Sequence, residues 1–261
     1  MRLLRMEIKK LFKLNFKEFI YVLILPLIIS IIYFFFQNYK EQLALNRNNF
    51  SFWQIYTKDF VNDNFNHYFG NLVFILIFSI AIFFILSKIK KEYLFKYFLL
   101  YAILITPLIG YLSDKYLLFS KVQSGLFLGS SGFASSFMGL FMFLILLLTY
   151  NKISIQKTFY TTLSIIIVPF LLIYYFRIPL GYILTLILIL IMVLIKIKKI
   201  KIVDIKKDEH IKFLIILFLY LILIKYAYPY DYKNVNFLNH YFSLAVGIGI
   251  GNVFALTSRL K

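Results

Sequence analysis

Cysteine is absent from the 261 residues of this sequence, and acidic residues are scarce, with 11 against 29 lysines and arginines. The absence of cysteine excludes disulfides, a thiolate nucleophile and cysteine-ligated metal. No Asp or Glu lies within a long apolar run, whereas a transporter is expected to carry carboxylates there. A metal-dependent protease would need His-Glu-x-x-His or paired acidic ligands, which the sequence does not contain. Both classes are therefore disfavoured, and we expect no metal and no other cofactor.

Apolar residues, in contrast, make up 62% of the chain, aromatic residues 20% and charged residues only 15%. Such a composition is too apolar for a soluble domain and indicates an integral membrane protein. The formal net charge of +18 could suggest nucleic acid as a partner. However, the basic residues form short clusters between apolar runs, as they do in the cytoplasmic loops of membrane proteins. We therefore expect the lipid bilayer, and no nucleic acid, as a partner.

Eight apolar runs have about the length that crosses a hydrocarbon core of about 30 Å. They predict an all-α, polytopic transmembrane helix bundle of about eight spans, at residues 19–36, 67–86, 97–112, 131–150, 158–176, 178–195, 213–229 and 239–257. Residues 1–18 precede the first span as a basic cytoplasmic segment, and residues 19–261 are expected to form one transmembrane domain.

The distribution of positive charge gives these spans an orientation. With the N-terminus inside, 21 of the 29 lysines and arginines fall in inner segments, in agreement with the positive-inside rule. The turn Arg177-Ile178-Pro179 could belong to one broken helix instead of two spans. Merging the two runs around it would move the basic cluster at residues 196–212 to the outside, which favours eight spans. Both termini are then cytoplasmic, and the cell membrane is the expected location.

Polar residues gather at the outer ends of three spans that run in the same direction. His67 and Asn71 begin the second span, Ser131 the fourth and His240 the eighth. A histidine inside a membrane span favours a functional site because burying it is costly, although hydrogen bonding between packed helices is an alternative role. Ser130 and Ser131, for their part, could act only as caps of the helix that follows them.

Three motifs in this order resemble those of the rhomboid family of intramembrane serine proteases. Gly129-Ser130-Ser131-Gly132 is similar to the family's Gly-x-Ser-Gly nucleophile motif. His67-x-x-x-Asn71 resembles its oxyanion-side motif, and His240 resembles the histidine of its final catalytic helix. The glycines that support the nucleophile and histidine motifs are Gly129, Gly132, Gly247 and Gly251.

The resemblance implies a rhomboid-like helical core and a serine-type endopeptidase that cleaves transmembrane segments of membrane proteins near the outer face. A serine hydroxyl needs a neighbouring base, and His240 is the only histidine available on another helix. We therefore expect Ser131 to be the nucleophile and His240 to be the base of a Ser-His dyad. The oxyanion donors are expected to be the Ser131 backbone N–H and the side chains of Asn71 and His67. The alternative is a rhomboid-like pseudoprotease that binds or remodels membrane proteins without cleaving them.

Several residues differ from the family's usual pattern. Asn62 stands where many members have another histidine, Ser243 where a glycine is usual, and Ser135 where an aromatic side chain often packs on the catalytic histidine. Trp53-Gln54 does not reproduce a Trp-Arg pair found in the first loop of some members, so that this loop is assigned no role.

Three apolar runs, instead of the family's one, separate the serine helix from the histidine helix. Residues 151–212 are therefore predicted to be an insertion into a six-span core, and residues 213–229 are the candidate lateral gate. We also expect the serine and histidine helices to pack closely through small residues, as membrane helices commonly do. These residues are Gly132, Ser135, Ser136 and Gly139 on one helix and Ser243, Gly247 and Gly251 on the other.

Overall fold

The computed structural model describes residues 16–46, 51–116, 126–149 and 237–258, and most of these residues are helical. Four helices are apolar and long enough to cross a membrane, at Lys17–Phe35, Phe65–Lys88, Leu94–Leu112 and Asn239–Thr257. A fifth apolar helix, Ser131–Leu147, is shorter. The predicted helical architecture is confirmed to this extent. The predicted spans at 158–176, 178–195 and 213–229, and the insertion at 151–212, lie outside the described residues, so that the total of eight spans stays a prediction.

The helices are numbered here in chain order. They are α1 (Phe16–Phe35), α2 (Lys40–Leu43), α3 (Gln54–Thr57), α4 (Phe65–Lys88), α5 (Leu94–Tyr116), α6 (Ser131–Thr149) and α7 (Phe237–Ser258). Two short 3₁₀ turns cover Gln37–Tyr39 and Lys58–Phe60. The five long helices begin within three residues of the first, second, third, fourth and eighth predicted spans.

The segment between α1 and α4, predicted as a polar loop, is folded in the parts that the structure describes. It contains α2, α3 and both 3₁₀ turns. It also contains β1 (Leu45–Asn46), which pairs in antiparallel fashion with β2 (Leu126–Phe127), Leu45 standing opposite Phe127. The strand pair connects this first loop to the segment that leads into α6.

Many large apolar side chains point outward from the helices, whereas several polar side chains are buried inside. On α1, the exposed fraction is 56% for Ile20 and Leu27 and 75% for Phe35. In contrast, Asn62 and Ser136 are fully buried. A protein surrounded by lipid is expected to show this arrangement, because lipid solvates apolar side chains and leaves polar groups to be satisfied internally.

Helices α6 and α7 approach each other so closely that only glycine fits at their contact. A Cβ atom on Gly139 would collide with the backbone carbonyl of Leu244, and one on Gly247 would collide with the carbonyl of Ser136. Further along α7, a Cβ on Gly251 would lie 2.6 Å from Cδ1 of Phe143. The predicted packing of the serine helix on the histidine helix through small residues is therefore confirmed.

Candidate active site

Ser131 is the first residue of α6, and the turn before it depends on glycine. Gly129 has a φ of +136°, a backbone conformation that residues with a Cβ rarely adopt. The space beside it is also occupied, since a Cβ there would lie 2.8 Å from Cε1 of His67 and 3.7 Å from Oγ of Ser131. The His67 imidazole and the Ser131 hydroxyl therefore both lie beside Gly129.

The other serines nearby have different surroundings. Ser130 is fully buried, and its hydroxyl donates a hydrogen bond to Oδ1 of Asn62 at 3.0 Å. The hydroxyl of Ser135 donates to the backbone carbonyl of Ser131 at 2.7 Å, and Ser136 is buried where α6 meets Gly247. Ser131 itself is only partly buried. Among these four residues, Ser131 has the position that a nucleophile requires, at a helix N-terminus with free backbone N–H groups and beside an imidazole.

His240 lies in the first turn of α7, with only 9% of its surface exposed. Two neighbours of His240 lie beside Gly132, because a Cβ there would be 3.4 Å from Oγ of Ser243 and 3.6 Å from Nδ2 of Asn239. The first turn of α7, which carries His240, is thus packed against the start of α6, where Ser131 and His67 lie beside Gly129.

On the other side of Ser131, Asn62 joins three hydrogen-bond donors. Its Oδ1 accepts from Nδ2 of Asn71 at 3.1 Å, from the Ser130 hydroxyl at 3.0 Å and from the Ser130 backbone N–H at 3.4 Å. Asn62 is fully buried, and its Nδ2 has no hydrogen-bond partner within the described ranges. Asn62 therefore connects the proposed oxyanion residue Asn71 to the turn that carries Ser131.

The start of α4 fixes the remaining proposed donor. Asn64 has an extended conformation, and its side-chain Oδ1 accepts the backbone N–H of His67 at 3.0 Å. This contact is an N-cap, which satisfies one of the free N–H groups of the helix. His67 and Asn71 follow one turn apart on the same helix, as predicted from their spacing. The His67 side chain lies beside Gly129, whereas Asn71 is linked to Ser130 through the shared Oδ1 of Asn62.

The first loop, which sequence reasoning assigned no role, contributes a buried ion pair to this region. Nζ of Lys58 lies 2.9 Å from Oδ1 of Asp59, and the two side chains are only 2% and 1% exposed. Burial raises the pKa of the Asp59 carboxyl, an effect that the Lys58 ammonium opposes. In addition, the Lys58 carbonyl accepts the Gly129 N–H at 3.0 Å. Adjacent opposite charges in a polar segment are normally solvated, and nothing in the sequence distinguishes this pair from such a solvated one.

Some of the predicted features fall on residues outside the described ranges. Residues 1–15 and the candidate gate at 213–229 are outside the described ranges. Within those ranges, no group of three or more His, Cys, Asp or Glu residues converges as metal ligands would. Comparison of the chain with models of known families, with curated proteins and with solved structures gave no match. Its function must therefore be inferred from the geometry of the site.

Proposed function

We propose that this protein is an intramembrane serine endopeptidase, in keeping with its resemblance to the rhomboid family. The observation that carries the proposal is the convergence around Ser131. Its hydroxyl and the His67 imidazole both lie beside Gly129, and the first turn of α7, with His240, packs against Gly132, the next residue of α6. Helix caps alone would not require two histidines from two other helices at this point.

In the proposed reaction, Oγ of Ser131 attacks the carbonyl carbon of the scissile peptide bond while His240 accepts the hydroxyl proton. The carbonyl electron pair moves to its oxygen and forms the oxyanion. Collapse of this intermediate breaks the C–N bond, and His240 donates its proton to the leaving amine. Water then attacks the resulting ester of Ser131, and His240 transfers a water proton to Ser131 Oγ as the carboxylic acid product leaves.

The oxyanion is stabilised by donors near the start of α6. The backbone N–H of Ser131 is one of the N–H groups that a helix N-terminus leaves without an internal partner. Nδ2 of Asn71 donates one hydrogen to Asn62, which leaves a second hydrogen available, and the His67 imidazole borders the same space. Loss of one such donor costs about 10² to 10³ in rate in other hydrolases. We expect a reduction of up to this size in Asn71→Ala, measured as the cleavage rate of a model transmembrane substrate.

The membrane setting indicates the substrate class. The candidate spans present apolar side chains to their surroundings, so that a transmembrane helix of another protein can reach the site laterally. We propose that such helices are cleaved near the outer face of the cell membrane, with both termini of the enzyme on the cytoplasmic side. A helical peptide bond is sterically shielded, and the substrate must therefore unwind locally before attack.

A fluorophosphonate probe tests the proposal without knowledge of the substrate, because such a probe reacts with an activated serine. In the full chain in detergent, mass spectrometry should locate one phosphonyl adduct, at Ser131. Labelling should be lost in Ser131→Ala and in His240→Ala, and the double variant should be no worse than either single one. Ser136→Ala is the matched control on the same helix and should label normally.

Labelling that persists without His240 would contradict the dyad. Absence of labelling in the folded wild-type protein would contradict the peptidase function altogether. It would favour the pseudoprotease, which binds membrane proteins without cleaving them.

A further inference from the structure

We propose that Lys58 is a positioning residue, an inference that rests on the proposed function. It fixes the position of the turn before Ser131 relative to the first turn of α7, which carries His240. Lys58 belongs to the 3₁₀ turn Lys58–Phe60 of the first loop, and its side chain is 2% exposed. Its backbone contacts the serine side of the site, and its ammonium group lies near the histidine side.

The backbone of Lys58 holds the serine side of the site. Its carbonyl oxygen accepts the N–H of Gly129 at 3.0 Å. Gly129 has a positive φ and stands two residues before Ser131. The hydrogen bond therefore fixes the peptide that directs the chain into α6, and with it the position of the Ser131 hydroxyl and N–H.

The ammonium group of Lys58 reaches the histidine side. Both Nζ of Lys58 and Oδ1 of Asn239 lie 2.8 Å from the point that a Cβ on Gly110 would occupy. The missing side chain at Gly110, on α5, thus leaves room for both the ammonium and the carboxamide oxygen beside it. Asn239 directly precedes His240 and also accepts a hydrogen bond from the Ser243 hydroxyl at 3.2 Å. Lys58 is therefore placed beside the turn of α7 that presents the base.

Packing alone does not account for a charged side chain at this position. Burying an ion pair carries a large desolvation cost, and well-packed apolar residues of similar volume often give equal or greater stability. The location adds to this cost, because the N-terminal end of α7 carries a partial positive charge that repels a cation. The carboxylate of Asp59 and the Asn239 oxygen offset this repulsion. We infer that the pair is retained because it orients the two catalytic elements.

The decisive variant removes both charges, as Lys58→Met with Asp59→Leu, so that no unpaired ion stays buried. We expect its melting temperature to stay close to that of the wild type, while the rate of fluorophosphonate labelling at Ser131 falls 10- to 100-fold. Small misplacements of catalytic groups have effects of this order. Lys40→Met is the matched control, because Lys40 belongs to the same loop and pairs with Asp63 at 2.8 Å, but in an exposed position.

Hydrogen exchange gives a second measurement that does not depend on catalysis. In the Lys58→Met/Asp59→Leu variant, exchange should accelerate at residues 129–131 and 237–243 and stay unchanged in α4. Unchanged labelling together with unchanged exchange would overturn the proposal. Loss of protection throughout the chain would also overturn it, because the pair would then be a general anchor of the fold. If the wild type is not labelled at Ser131, the proposed function fails, and the exchange pattern still decides whether Lys58 connects the two segments.

Discussion

The contact between α6 and α7 gives the sharpest test of the architecture. At Gly247 a Cβ would collide with the carbonyl oxygen of Ser136 and would lie 2.9 Å from the backbone nitrogen of Leu140. Both obstacles are backbone atoms, which cannot rotate away as a side chain would. Gly247→Ala therefore requires the helices to separate. Gly249 lies on the same helix, and no described atom lies within 4 Å of its Cβ position.

The two glycines allow the cost of the collision to be isolated. Replacing glycine by alanine inside a helix ordinarily contributes about 1 kcal/mol of stability, and this contribution is the same for Gly247→Ala and Gly249→Ala. Overpacking of a close contact costs about 1–3 kcal/mol. Gly249→Ala should therefore be neutral or slightly stabilising. Gly247→Ala should be less stable than Gly249→Ala by about 1–3 kcal/mol, toward the upper end because backbone must move.

Thermal unfolding of both variants in one detergent measures this difference directly. The rate of fluorophosphonate labelling at Ser131 gives a second comparison, because His240 lies two turns before Gly247 on the same face of α7. We expect a lower melting temperature and slower labelling for Gly247→Ala only. Equal melting temperatures for the two variants would refute the close approach of α6 and α7, and with it the reasoning that places His240 beside Ser131.

Three other predictions concern the first loop and the topology. Asn62→His restores the residue usual in the resembled family but replaces the oxygen shared by three donors, so we expect slower labelling of Ser131 than in the wild type; labelling at the wild-type rate would contradict the role of that oxygen. The Lys40 ammonium holds the pKa of the Asp63 carboxyl below its ordinary value of 3.8. The ion pair between Lys40 and Asp63 therefore stabilises the folded protein fully above pH 3.8, and this stabilisation is lost as the pH falls through the lowered pKa of Asp63. Because Asp63 is 61% exposed, the effect should stay below about 1 kcal/mol, and Asp63→Asn should remove it from melting curves recorded between pH 6 and pH 2. Cysteines introduced at Trp53 and Lys201 should react with impermeant reagents from opposite sides of the membrane, and labelling from the same side would contradict the eight-span topology.

Periodic and compositional features of the sequence were sufficient to predict the long helices. An apolar run of about 20 residues has few alternatives in a membrane, since only a helix satisfies its backbone internally. The small residues on α6 and α7 also identified their contact, because close packing between membrane helices selects for such residues. The direction of three spans also predicted that His67, Ser131 and His240 lie at the same end of the bundle.

The first loop could not be predicted in the same way, because its structure depends on contacts between residues far apart in the chain. Leu45 pairs with Phe127, and Lys58 accepts the N–H of Gly129. No local pattern encodes such pairings, and a strand of two residues is too short to give a periodic signal. The polar side chains of this segment predict solvent exposure, whereas Lys58 and Asn62 are buried against the site.

The departure at Asn62 fits the chemistry of its surroundings. A neutral imidazole offers one acceptor nitrogen, whereas a carboxamide oxygen has two lone pairs and can serve several donors. Here Oδ1 of Asn62 serves the hydroxyl and N–H of Ser130 together with Nδ2 of Asn71. Ser130 is fully buried, and a buried hydroxyl needs a hydrogen-bond partner. Asn62 supplies that partner and orients Asn71 through the same atom, so that the asparagine at position 62 is matched to the serine at position 130.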